Sequence, residues 1–183
     1  MPLKKITKTE ILEISLEVFR KNGYHHTAMS DLATACNLQK GSFYHYFESK
    51  EKLMLAILEK TQSELNENIF PIAQKNLPAR EKMELFLKAF SKQMLMKEGG
   101  CIIGNTILET AFTVVEFRPV LMAIFDNWIL NLKTIYLEKF SEESAQRLAE
   151  QTVIEFEGAV MLTKIYGGDK YLRDCYLRVI GRL

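Results

Sequence analysis

Apolar residues recur at three- and four-residue intervals along almost the whole chain, and few residues interrupt them. Most of the nine glycines and four prolines fall between long segments of this periodicity. No alternation of apolar and polar residues lasts long enough for a strand, and no internal repeat or low-complexity tract is visible. The chain therefore reads as all-α, with about nine helices.

The boundaries follow from capping and turn chemistry. Thr7-Lys8-Thr9-Glu10 is a capping box, behind which Ile11, Ile14, Val18 and Phe19 form a core stripe. Asn22-Gly23 then supplies a left-handed stop. Thr27 is expected to cap a second, short helix with Met29, Leu32, Ala33 and Cys36 inward. Asn37 stands where a tight turn needs positive φ. A third short helix is expected over residues 39–47, and Ser49 opens a long fourth with Leu53, Ala56, Ile57 and Lys60 at helical spacing. Pro71 ends or kinks helix four, and Pro78 suits the first turn of helix five, which runs to Gly99-Gly100. Helix six is expected over 102–112 and helix seven over 118–140, with Pro119 near its start. Ser141 or Ser144 caps helix eight, which ends at Gly167-Gly168, and Asp169 caps a ninth from 170 to about 180. The division expected is a three-helix domain over 1–48 and a larger helical domain over 49–183.

Composition excludes several classes. Hydrophobic residues are 48% and charged residues 26% of the 183, as in packed soluble proteins and unlike disordered ones. No apolar run is longer than that of residues 120–125, far short of a membrane span, and no apolar segment follows Lys4 and Lys5 as a secretion signal requires. Cys36, Cys101 and Cys175 are odd in number and lack metal-knuckle spacing, so a reducing cytoplasm is expected. The three histidines, His25, His26 and His45, match no zinc pattern with Cys36 and Asp31; no metal or cofactor is expected. With no histidine beyond residue 45 and no paired nucleophile, no catalytic residue emerges either. Net charge is only +1, and residues 1–52 hold eight Lys and Arg against six Asp and Glu. Any argument for nucleic acid has to rest on local geometry.

That geometry lies in residues 27–50, TAMSDLATACNLQKGSFYHYFESK. At about 100° per residue, Phe43 and Phe47 point together toward the stripes of the first two helices. Gly41, Tyr44 and His45 face outward, flanked by Lys40 and Ser42, and the face holds no acid. An element entering a major groove must present donors on a narrow face without repelling phosphate. Gln39, Lys40, Ser42 and His45 are candidate base readers, and Gly41 allows close backbone approach. Thr27, Tyr44 and Lys50 are candidates for phosphate contacts that set register, and Tyr46 is a further candidate DNA-binding residue. Lys4, Lys5 and Lys8 read as a solvated tail or an arm toward phosphate.

The stretch Thr27-Ala28-Met29-Ser30-Asp31-Leu32-Ala33, followed by Lys40-Gly41-Ser42-Phe43-Tyr44-His45-Tyr46-Phe47 and Ser49-Lys50-Glu51, resembles the tetracycline-repressor (TetR) family. The resemblance implies a helix-turn-helix domain on a helical regulatory domain, in a homodimer that leaves a palindromic operator when a small molecule binds. Asn37 stands where that family often has Gly, and Gln39 where it often has a capping Ser or Thr. Gly100-Cys101-Ile102-Ile103-Gly104-Asn105 with Glu109, and Glu157-Gly158-Ala159, are similar to one branch of it.

In the larger domain, Phe86, Phe90, Asn105, Glu109, Phe112, Trp128 and Glu155 are expected to line an effector pocket, as aromatics with a few polar anchors do. Helices eight and nine carry more apolar residues than one chain can cover. Val153, Phe156, Val160, Leu172, Cys175 and Val179 are expected at a two-fold interface. Such an interface would set two reading heads about one DNA turn apart. The expected partners are double-stranded operator DNA, a second copy and a small effector, with no membrane. The competing reading is a helical dimer that serves as a protein-interaction scaffold without ligand sensing.

Overall fold

The computed structural model describes residues 6–94 and 99–183, so Lys4, Lys5 and residues 95–98 of the expected helix five lie outside the described residues. Among the described residues there are nine α-helices and no strand. They are α1 Lys8–Asn22, α2 Met29–Ala35, α3 Lys40–Tyr44, α4 Lys50–Asn68, α5 Ala79–Met94, α6 Ile102–Thr110, α7 Arg118–Tyr136, α8 Glu142–Tyr166 and α9 Lys170–Ile180. Two compact units result. The first is built from residues 1–61 and 97–121, the second from 62–96 and 122–183.

In the first unit the capping box of α1 forms as expected: the Glu10 amide donates to Thr7 Oγ1 at 3.2 Å, and the Thr7 amide donates to Glu10 Oε2 at 2.7 Å. Gly23, at φ +82°, closes the helix with its amide on the Phe19 carbonyl at 2.9 Å. Thr27 does not cap α2. That position belongs to Ala28, whose amide donates to Asp31 Oδ2 at 2.8 Å, while the buried Thr27 hydroxyl donates to the Gly23 carbonyl at 2.6 Å. The turn after α2 does use Asn37 in the left-handed region, at φ +52°, with the Leu38 amide returning to the Ala33 carbonyl at 2.9 Å.

Helix α3 stops at Tyr44, short of the expected residue 47. Gln39 gives it no side-chain cap, and the chain leaves the helix so that Phe47 can turn back into the core. Phe43 and Phe47 are both buried, as are Ile11 and Phe19 of α1, Leu32 of α2 and Leu53 of α4. Ser49 caps α4, accepting from the Lys52 amide at 3.2 Å. Helix α6, N-capped by the Cys101 sulfur, lies against α1.

In the second unit, Pro71 falls in a 3-10 turn, Phe70–Gln74, after α4 has ended. Phe70, Phe86 and Phe90 stack in series, and Trp128 lies on Phe90 with centroids 4.1 Å apart. Phe156 meets Phe90 and Trp128 edge-on at 5.3 and 5.5 Å. Helix α7 ends at Tyr136, before the expected residue 140, because Ser141 must adopt an extended conformation (ψ 159°) to cap α8. The buried Tyr136 hydroxyl pairs with Thr152 at 2.8 Å, and α9 lies along α8. No helix among the described residues is long and apolar enough to cross a membrane.

Candidate nucleic-acid interface

The first unit builds α3 from the inside outward. Phe43 is 0% exposed and fixes the helix about its own axis; Phe47 fixes the segment that follows. With that side fastened, Gln39, Lys40, Gly41, Ser42, Tyr44 and His45 are left on the exposed side together. A Cβ built on Gly41 meets nothing within 4 Å, so nothing in the chain itself requires glycine there. The open backbone suits close approach by a partner from outside. Exposed donors and an aromatic hydroxyl on about one turn of helix, with no acid among them, are what a base-reading face needs.

Three expected DNA-contact residues are engaged within the chain. Thr27 is buried and its hydroxyl is committed to the Gly23 carbonyl, so it is not offered to a phosphate. The half-buried Lys50 ammonium donates to the Tyr24 carbonyl at 2.9 Å and sits 4.3 Å from the Tyr24 ring centroid. Tyr46, also half-buried, donates its hydroxyl to the Ile6 carbonyl at 3.2 Å. These two brace the face more than they extend it.

Tyr24 went unnoticed in the sequence, although an aromatic directly after the Gly23 stop was the available signal. It is buried, stacks on Phe19 and meets Phe117 edge-on at 5.5 Å. Its hydroxyl donates to Glu51 Oε1 at 3.0 Å. Burial first, and then the Glu51 carboxylate, push its phenol well above the usual tyrosine range. Hydrogen bonds from its own amide, from Ser49 and from Tyr24 hold Glu51 below the usual carboxylate range.

The expected effector-pocket residues divide between the units. Phe86, Phe90 and Trp128 share the buried aromatic cluster of the second, and the Trp128 indole N–H is buried with no acceptor. Glu155, in the same unit, turns instead toward α9, where it pairs with Arg178 at 3.3 Å and with Arg182. Asn105 and Glu109 belong to the first unit: Asn105 donates to the Gly99 carbonyl at 2.7 Å, and Glu109 accepts from the His25 amide at 3.0 Å. Phe112 lies beyond the end of α6 and is 100% exposed, so it lines no pocket.

The expected interface residues also need correction. Val153, Phe156, Val160, Cys175 and Val179 are buried by their own chain and Leu172 is half-buried, so a second copy would have little of them left to cover. The uncovered residues of these helices are Ile154, Met161, Leu162, Ile165 and Tyr166 on α8 and Leu177 on α9. Ile154, Met161 and Ile165 repeat at i, i+7 and i+11, one residue out of phase with the buried set. Beside them a cleft of about 210 Å³ is lined by Glu155, Gly158, Ala159, Leu162, Tyr171, Asp174 and Arg178.

Residues 11–57, which hold this face, match the family described as bacterial regulatory proteins, tetR family. Residues 79–176, more than half of the chain, match the family described as transcriptional regulator LmrA/YxaF-like, C-terminal domain. The chain belongs to the TetR family. It is accordingly a DNA-binding transcriptional regulator and not an enzyme. The HTH-type transcriptional repressor DhaR of Mycobacterium sp. (strain GP1) is 27% identical over 181 residues, covering 94% of this chain and 89% of that protein. YxaF of Bacillus subtilis (strain 168), an HTH-type transcriptional regulator, is 27% identical over 161 residues, covering 86% and 84%. A TetR transcriptional regulator from Legionella pneumophila shares the fold over 100% of both chains, with a TM-score of 0.89 at 24% identity.

Proposed function

We propose that this TetR-family protein is a ligand-responsive cytoplasmic repressor that binds a short palindromic operator as a homodimer. The observation that carries the reading is α3, held from within by Phe43 while Gln39, Lys40, Gly41, Ser42, Tyr44 and His45 face solvent without an acid among them. Side chains of this kind hydrogen-bond base edges and phosphates, and the bare backbone at Gly41 lets the helix approach closely. Residues 1–48 are the reading domain; Lys50 and Tyr46 keep its reading helix in register. Repression is supported by the relative DhaR, itself described as a repressor.

Two copies join through the uncovered stripe of α8 and α9, burying Ile154, Met161, Ile165 and Leu177 against their symmetry mates. Effector binding belongs to residues 49–183. Within them Phe86, Phe90 and Trp128 offer flat apolar contact, and the Trp128 N–H is a donor lacking an acceptor.

Fluorescence anisotropy with the duplex upstream of its own gene tests the reading. Specific binding should exceed that of a random duplex by about a thousandfold or more and weaken steeply with salt. Equal affinity for both duplexes would leave α3 without its assigned role. Quenching of the single tryptophan reports effector binding in the same samples.

A further inference from the structure

Glu109 makes no contact of the kind expected of an effector anchor; it grips the loop from which the reading helices hang. Its carboxylate accepts the His25 amide at 3.0 Å, and its own carbonyl lies 2.8 Å from His25 Nε2. A Cβ on Gly23 would come within 2.8 Å of Glu109 Oε1, so the left-handed glycine that ends α1 also makes room for the carboxylate. At the other end of α6, Asn105 holds the Gly99 carbonyl, and a Cβ on Gly99 would fall 2.0 Å from the Arg20 carbonyl near the end of α1. The C-terminal end of α6 thus meets the α1–α2 joint, and the Gly99 turn before α6 lies against Arg20 in the last turn of α1.

Within the joint the Thr27 hydroxyl holds the Gly23 carbonyl at 2.6 Å, the Ala28 amide is held by Asp31 at 2.8 Å, and Lys50 donates to the Tyr24 carbonyl at 2.9 Å. The His25 amide between them is held by Glu109, from α6. Helix α2 starts immediately after this loop and packs against α3. A shift at His25 is therefore passed to the reading face. Base-edge hydrogen bonds tolerate only a few tenths of an ångström, whereas attraction to phosphates varies slowly with position.

We propose that Glu109 is a positioning residue for operator recognition: by holding the His25 amide, it makes α6 set the angle of the α1–α2 loop and hence of α3. The inference rests on the DNA-reading assignment of α3.

The test uses the intact protein, with anisotropy on the upstream duplex and on a random duplex, and thermal unfolding of each variant. Glu109→Ala should bind the upstream duplex about fivefold to tenfold more weakly, with random-duplex affinity and Tm unchanged. Glu109→Gln keeps an oxygen for the His25 amide and should bind within about twofold of wild type. His25→Ala loses only the ring contact and should fall between them. Glu109→Ala binding the upstream duplex like wild type would overturn the inference. So would a parallel loss on both duplexes accompanied by a lower Tm, which is the mark of a merely structural residue. A wild-type protein that does not prefer the upstream duplex would instead remove the DNA-reading assignment, and the inference with it.

Discussion

Helix α3 and the second half of α8 both turn a face to solvent, and the two faces have opposite chemistry. On α3 the exposed residues are Gln39, Lys40, Ser42, Tyr44 and His45, and the apolar residue among them, Phe43, is fully inside. On α8 the inner stripe of Val153, Phe156 and Val160 is already satisfied, yet Ile154 and Ile165 stay 71% and 76% exposed. A face meant for DNA has to remain polar when the partner is absent and when it is present. A face meant for another copy of the chain can be apolar, because it is rarely without that partner. The contrast separates two kinds of unpaired surface that a bare list of exposed residues would merge.

Substitutions one residue apart on α8 test the contrast most strongly. Phe156→Ala removes a ring packed on Phe90 and Trp128 and should lower stability by about 3–5 kcal/mol, measured by denaturant unfolding. Ile154→Asp should leave the fold of each chain intact but separate the copies, seen by sedimentation, and operator affinity should drop by about a hundredfold or more. If Ile154→Asp stayed dimeric with full affinity, the apolar stripe would have some other purpose.

This phase difference also explains how legible each region was. Around α3 the short helices, the Asn37 turn and the two inward phenylalanines were all readable, because each follows from local capping, turn chemistry and period. The stripe on α8 was read one residue out of phase: that half of the helix is apolar nearly all round, so periodicity alone does not say which side its own chain covers. Thr27 was misplaced as a cap because Asp31 performs the capping from three residues downstream, leaving Thr27 free to turn inward. Glu109 was assigned to a pocket because its partner, His25, is 84 residues away in sequence. Contacts of that separation leave no local trace.

On α3 the same one-residue logic applies with smaller effects. Tyr44→Ala should weaken operator binding by about tenfold while leaving Tm unchanged. Its neighbour Phe43→Ala should lower stability by about 3–5 kcal/mol. An exchange of these outcomes would show that the helix is rotated from the orientation described. Gly41→Ala is milder still. It meets nothing in the chain and raises helix propensity, so stability should rise by up to about 1 kcal/mol. Operator affinity should nonetheless fall a few-fold, because the added methyl lies where the backbone approaches DNA. Unchanged affinity would mean that Gly41 does not face the duplex.

The smallest effect expected is a pH dependence confined to the head, and it depends on Tyr24. Its phenol is buried, donates to Glu51 and also feels Glu116. Burial, largest of these, and the two acids all push its pKa upward. A group whose pKa is raised on folding stabilises the folded state below its unfolded value, near 10 for tyrosine, and that contribution is lost as pH rises beyond it. Unfolding of the wild-type protein at a series of pH values from 8 to about 11.5 should therefore show stability declining above about 10. Tyr24→Phe removes both the ionisation and the Glu51 bond, so it should begin slightly less stable and then decline less with pH. Parallel curves for the two proteins would mean that the alkaline sensitivity arises elsewhere and that the Tyr24 phenol does not bear on the stability of the head.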